Sequence, residues 1–298
     1  MDQFHTNFSI HPETKIRTVT LKVTDLESQV HFYQHVLGFH LLSLEEKQAI
    51  LGTVDQPLLH LKEHPGFKRY QQVTGLYHLA ILFPDQRKLA KAVSRLLAVN
   101  YPNAPTDHIM TKSTYLDDPE GNGIELYAES PEDGTWFMED DKYFARRTDG
   151  SLSNGREPLD LKALFSHLKD TDLLNAPLPT NSRIGHVHLH VHDIEEALDF
   201  YHGILGFDIM GKVLAYQMAF VSAGGYHHHI GLNTWQGTGA PPPPPGSLGL
   251  HHFSIQLPDR NEMRTIMDRV SSAGIPFERI EEGILLHDPS QNGVLLTS

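Results

Sequence analysis

No cysteine occurs anywhere in the 298 residues. Disulfides, thiolate metal sites and a cysteine nucleophile are therefore excluded, and any bound metal must take nitrogen and oxygen ligands. Long apolar runs are missing as well. None approaches the roughly 18 to 20 residues that span a bilayer, and the polar start, Met1 to Asn7, lacks the charged and apolar regions of a signal peptide. The expectation is a cytoplasmic chain with no membrane partner. Basic residues are scarce, 24 Lys and Arg against 37 Asp and Glu, for a formal net charge of −13. Phosphate binding needs clustered Lys and Arg, which are not found here, so a nucleic-acid partner is not expected. What the chain does have is histidine, 21 residues with several grouped together.

It also repeats itself. Val19-Thr-Leu-Lys-Val-Thr-Asp25, Val30-His-Phe-Tyr33 and Leu37-Gly-Phe39 return at a constant spacing as Val187-His-Leu-His-Val-His-Asp193, Leu198-Asp-Phe-Tyr201 and Leu205-Gly-Phe207. A second pair of units matches likewise: Gly75-Leu-Tyr-His78 with Gly249-Leu-His-His252, and Asp118-Pro119 and Asn122-Gly123 with Asp288-Pro289 and Asn292-Gly293. Alternation of apolar and polar residues over Val19 to Val23 predicts a half-buried strand. Asp25 and Asp193 stand where a helix N-cap belongs, and Gly38 and Gly206 where a helix stops. Each unit thus reads as a strand, a helix and further strands, four times over. Between the halves, 131–181 is rich in charge, Gly and Pro, with one helical patch near Leu159 to Leu168, and reads as a connecting segment. The run Pro241 to Pro245 cannot pair in a sheet and is expected to be an extended linker between the third and fourth units.

With its Phe-Tyr and Leu-Gly-Phe signatures, this order resembles the vicinal oxygen chelate superfamily, which includes glyoxalases, bleomycin resistance proteins and extradiol dioxygenases. The resemblance implies an α+β fold of four βαβββ modules in two tandem domains, 14–130 and 182–298. It also implies ligand positions, one at the start of a module's first strand and one on its last. Carried over, these are Thr18, His78, His186 and His252 for the first strands, with Glu125 and Leu295 on the last strands of modules two and four. His78, Glu125 and His186 remain as a two-histidine, one-carboxylate set. Such a set leaves several positions open on Fe(II), or on Mn(II) as the alternative, for a chelating substrate and dioxygen together. His188, His190 and His192 share the strand face of His186, but same-face neighbours stand about 7 Å apart, so at most one of the row is expected to bind the ion. Collecting the set requires module two to pair with module three, leaving module one with module four. The pairing would lie within one chain or, in a homo-oligomer, across a swapped dimer.

Thr106-Asp-His108, Tyr115, Asp118-Pro119, Gly121 and Glu125 resemble the signature of the extradiol ring-cleaving dioxygenases, with Thr114 standing where an apolar residue is usual. Tyr226-His-His-His229 matches the region where those enzymes carry their acid–base histidine. The alignment favours His228, and strand alternation would point it away from His227 and His229. The resemblance implies cleavage of a catechol-type diol with O2, with His228 moving protons and with Tyr115 and His108 donating hydrogen bonds to substrate oxygens. Two alternatives share the fold. A glyoxalase-type lyase or isomerase commonly uses a further glutamate ligand, whose place here falls near Gly231, while a non-catalytic resistance-type protein would need none of these groups.

Overall fold

The computed structural model describes residues 8–139 and 142–298; the polar start discussed above lies outside them. Four modules follow one another, each a strand, a helix and three strands. The first runs from Lys15–Val23 to Pro57–Glu63, the second from Gly75–Leu82 to Gly123–Glu129, the third from Arg183–His190 to Ile230–Asn233 and the fourth from Gly249–Gln256 to Gly293–Thr297. Among the described residues no helix is long and apolar enough to cross a membrane.

Asp25, Asp85, Asp193 and Asp259 each cap the helix of their module, accepting from a backbone N–H of its first turn. In modules one and three the helix loosens into a π-helical turn, Phe32–Val36 and Asp199–Ile204. It then stops at Gly38 and Gly206, with φ of +83° and +88°. The π turn drives Tyr33 and Tyr201 fully into the core. There Tyr33 Oη donates to Asp118 Oδ2 at 3.2 Å, and Tyr201 Oη donates to Asp288 Oδ2 at 3.0 Å. Each aspartate also accepts from the backbone and side-chain amides of the asparagine four residues on. The Phe-Tyr and Asp-Pro-x-x-Asn signatures are therefore two halves of one buried latch, made twice.

The chain divides into two compact units. One comprises residues up to Lys22, Gly66–Tyr77 and Gly185–Ser298. In it Lys15–Val23 pairs antiparallel with Gly249–Gln256, with Thr20 opposite His252, so the first strand of module one lies beside that of module four. Gly249–Gln256 continues in parallel to Gly293–Thr297, and Arg183–His190 runs parallel to Ile230–Asn233. Pro241 to Pro245 stays outside all strands.

The other unit comprises Val23–Pro65 and His78–Ile184. Its Gly75–Leu82 strand is parallel to Gly123–Glu129, which is antiparallel to Thr111–Asp117, itself antiparallel to Ala104–Asp107. Segment 131–181 adds structure of its own: a three-stranded sheet of Gly134–Glu139, Lys142–Arg147 and Leu152–Ser153, a short strand Glu157–Pro158 beside Ala104–Asp107, and a helix Leu161–Phe165. The little sheet is held by cross-strand aromatic stacks, Trp136 on Tyr143 and Phe137 on Phe144, each with ring centroids 5.7 Å apart.

Candidate active site

Strand register gathers the first group. Glu125 lies opposite Ala80 on one side and Tyr115 on the other, and His78 lies opposite Gly123. His78 Nε2 is 3.3 Å from Glu125 Oε2, with both side chains buried. Ser113 Oγ donates to Glu125 Oε1 at 2.6 Å. One carboxylate oxygen is thus fixed by a hydroxyl while the other faces an imidazole. Burying a carboxylate costs several kcal/mol unless it is so partnered. A buried imidazole nitrogen beside a carboxylate oxygen, the latter oriented by a hydrogen-bonding neighbour, is a donor pair suited to a divalent metal ion.

Tyr115 adjoins this pair, its ring centroid 5.6 Å from that of His78. Its hydroxyl lies 2.8 Å from His108 Nε2, and His108 Nδ1 lies 2.6 Å from the Gly155 carbonyl oxygen. A carbonyl only accepts, so Nδ1 carries a proton. Burial pushes the His108 imidazolium below its ordinary pKa, which makes the ring neutral and Nε2 an acceptor. Tyr115 therefore donates to His108. This differs from the expectation that both side chains donate to substrate, because both His108 nitrogens are already engaged within the protein.

The second group belongs to module three. His186, on Arg183–His190, is buried, and the rings of His228 and His227 stand 4.1 and 6.0 Å from its own, centroid to centroid. One ligating nitrogen from each of these three histidines lies within 4.8 Å of the others. Strand alternation does not sort the triplet as expected. His227 to His229 precede the strand Ile230–Asn233 in an irregular, bent stretch, so alternation does not apply, and the rings of His227 and His228 both lie beside that of His186. His229 turns inward instead, its Nδ1 2.9 Å from Ser222 Oγ and accepting from the Ala223 N–H at 3.2 Å.

The rest of the histidine row has other work. His188 packs edge-on against Tyr77 and tilts against Trp235, His190 Nδ1 meets Asn233 Oδ1 at 2.7 Å, and His192 contacts Ser290 and Glu196. A Cβ on Gly231 would meet the His188 ring at 2.8 Å, so the place where a glyoxalase-type ligand would stand is closed to a side chain. In module four, His252 Nε2 lies 3.1 Å from Thr20 Oγ1, Thr18 Oγ1 lies 2.8 Å from Ser254 Oγ, and Leu295 is buried. A cleft of about 450 Å³ beside Arg69, Gln72 and Gln291 contains none of the six residues predicted for the site.

Sequence reasoning did not single out Ser113 or Gly155. Ser113 was within reach of it, since it lies two residues from Tyr115 on one strand and so on the same face. Gly155 carried no signal, because its role rests on a backbone carbonyl.

The family model of the Glyoxalase/Bleomycin resistance protein/Dioxygenase superfamily matches residues 15–126 and 183–283, and the chain belongs to that superfamily. It is 40% identical to the catechol-2,3-dioxygenase of Bacillus subtilis (strain 168) over 285 residues, 94% of this chain and 96% of that protein. Biphenyl-2,3-diol 1,2-dioxygenase 3 of Rhodococcus globerulus is 29% identical over 131 residues, 41% of this chain and 69% of its own length. Glyoxalase I of Zea mays shares the fold, with a TM-score of 0.53 at 17% identity over 95% of this chain and 92% of that one. An identity of 40% to a catechol dioxygenase over nearly the full length of both chains makes this one an enzyme of the extradiol dioxygenase type.

Proposed function

We propose that the chain cleaves a catechol-type aromatic diol beside its hydroxyls, with O2 as co-substrate. Its metal would be non-haem Fe(II), or Mn(II) as the alternative, held by His78, Glu125 and His186. The observation that carries this reading is the buried His78–Glu125 pair, pinned by Ser113 and adjoined by Tyr115. When bound, such an ion supplies the positive charge that lowers the pKa of a chelating diol and the open positions for both reactants. The protein supplies the proton path. Tyr115 accepts a hydrogen bond from a substrate hydroxyl and passes its own proton to His108 Nε2, while the Gly155 carbonyl holds the Nδ1 proton in place. His228 moves protons in the same reaction as the general acid–base. Closure of the Gly231 position by the His188 ring argues against the glyoxalase-type alternative.

Metal analysis and oxygen uptake test the proposal. After anaerobic loading, the native chain should hold one Fe(II) and consume O2 with catechol. Glu125→Ala, His78→Ala and His186→Ala should each lose the metal without losing the fold. Full metal content in Glu125→Ala would overturn the ligand assignment.

A further inference from the structure

We infer that Ser153, Asn154 and Glu157 are positioning residues of the active site: they aim the Gly155 carbonyl at His108 and so fix which nitrogen of that ring receives the Tyr115 proton. The inference deepens the reading above and rests on the role given there to His108. All of these residues lie in one compact unit, with the turn itself in the segment between the two halves of the repeat. Gly155 is poorly able to aim itself. Without a Cβ it has the widest choice of backbone angles, and its φ is +69°. Both peptide groups beside it are nevertheless held. The Gly155 N–H donates to Ser153 Oγ at 3.0 Å, and the Arg156 N–H, which shares a peptide plane with the Gly155 carbonyl, donates to Asn154 Oδ1 at 2.9 Å. A trans peptide sends its N–H and C=O in opposite directions. Tying the Arg156 N–H to Asn154 therefore turns the Gly155 oxygen the other way, where His108 Nδ1 meets it at 2.6 Å.

Charge fixes the remaining hydroxyl. A carboxylate only accepts, so Ser153 Oγ gives its single proton to Glu157 Oε1, 2.6 Å away, and keeps a lone pair for the Gly155 N–H. Hydrogen bonds from Ser153 and Arg147 hold the Glu157 carboxyl below its ordinary pKa range, which keeps it in that accepting form. The turn is also anchored at both ends. Ser153 lies opposite Ala145 in the small sheet, and Glu157 lies opposite Asp107, the chain neighbour of His108. The carbonyl and the ring it meets are thus carried by paired strands, with three residues between one sheet and the other.

The test compares variants of the full chain, each checked for its fold by circular dichroism. In the metal-free chain, labelled on its histidine ring nitrogens for magnetic resonance, His108 is identified by the signals lost in His108→Gln and should show a protonated Nδ1 and a bare Nε2. Ser153→Ala should draw these two nitrogen shifts toward each other as the second tautomer becomes populated. Asn154→Ala, a change at an exposed side chain, should do the same, whereas Asn154→Asp keeps the accepting oxygen and should hold the native shifts. In the iron-loaded enzyme Ser153→Ala should lower kcat about 3- to 10-fold, the size of one hydrogen bond, with KM for catechol and metal content within about twofold of native. Placed in His108→Gln, it should cost less than about twofold more, because the ring through which it acts is gone. Native His108 shifts in both alanine variants, or an equal kcat loss with and without His108, overturn the inference. Native kcat in His108→Gln would instead refute the proton path, and the shifts would still decide the positioning role.

Discussion

The carbonyl of Gly155 fixes the tautomer of His108, and Gly155→Ala should disturb both stability and catalysis. Gly155 has a φ of +69°, a region in which an L side chain costs about 1 to 2 kcal/mol. The new Cβ would stand 2.6 Å from Tyr143 Cε1. Overpacking costs about 1 to 3 kcal/mol, and the lower end applies because Tyr143 is half-buried and can slide along its stack with Trp136. Together these give a loss of about 2 to 3 kcal/mol, or roughly 5 to 10 °C in the midpoint of a unit this size. The second effect is kinetic. A shifted carbonyl weakens the His108 Nδ1 hydrogen bond, worth about 1.4 kcal/mol if lost, so kcat should fall about 10-fold. Calorimetry and steady-state oxygen uptake read the two effects. Tyr143→Ala combined with Gly155→Ala should relieve the overlap but not the backbone strain, leaving an interaction term of about 1 kcal/mol in the double-mutant cycle. Native melting and native kcat in Gly155→Ala would refute the tautomer argument.

His228→Ala should keep its Fe(II) and still bind catechol, yet lose turnover by about 100-fold, which single-turnover kinetics on the iron-loaded enzyme would detect. Tyr115→Phe should also lose about 100-fold in kcat with metal content unchanged; native turnover would remove Tyr115 from the proton path. Burial raises the Asp288 carboxyl to about 6, above the roughly 3.9 of an unfolded chain. The folded state therefore holds this proton more tightly. Its contribution to stability is fully present below the unfolded pKa and is lost as pH rises through about 6, on the order of 3 kcal/mol in all. Denaturant midpoints between pH 4 and 7 should show this slope, and Asp288→Asn should flatten it; a slope unchanged in the variant would sink the assignment.

Much of the fold was legible in the sequence because the repeat supplied a second copy of each signal. Asp25 and Asp193 could be read as caps, and Gly38 and Gly206 as stops, since local chemistry alone sets those roles. The positions of His78 and Glu125 came from the superfamily resemblance, and strand register is what sets the two side chains side by side. Alternation misled at His227 to His229, where irregular, bent backbone replaces the strand and two neighbours point the same way. The small sheet of segment 131–181 was hidden by charge around short aromatic strands, whose pairing of Phe137 with Phe144 is visible only once the strands meet. Nor could periodicity reveal that Tyr115 donates to His108, because that direction depends on the carbonyl of Gly155, forty residues further along the chain.

The same comparison explains how one duplicated chain can carry unlike modules. The latches Tyr33–Asp118 and Tyr201–Asp288 have matching partners and nearly equal lengths, although they stand in different units. Each joins a helix to the turn before a last strand, so it fixes where that strand runs without dictating what the strand presents. At the presented positions the copies part. Where module two offers His78 and Glu125, module four offers His252, hydrogen-bonded to Thr20, and the buried Leu295. A buried carboxylate needs partners; at position 295 the neighbouring strands place Leu285 on one side and Ser254 on the other, and Ser254 Oγ is already engaged with Thr18 Oγ1 at 2.8 Å. Module four thus commits its Ser254 hydroxyl to the first strand of module one, whereas module two turns the Ser113 hydroxyl to its carboxylate. The scaffold is set by residues that face inward in both copies, and the chemistry by a few positions that the latch leaves free to differ.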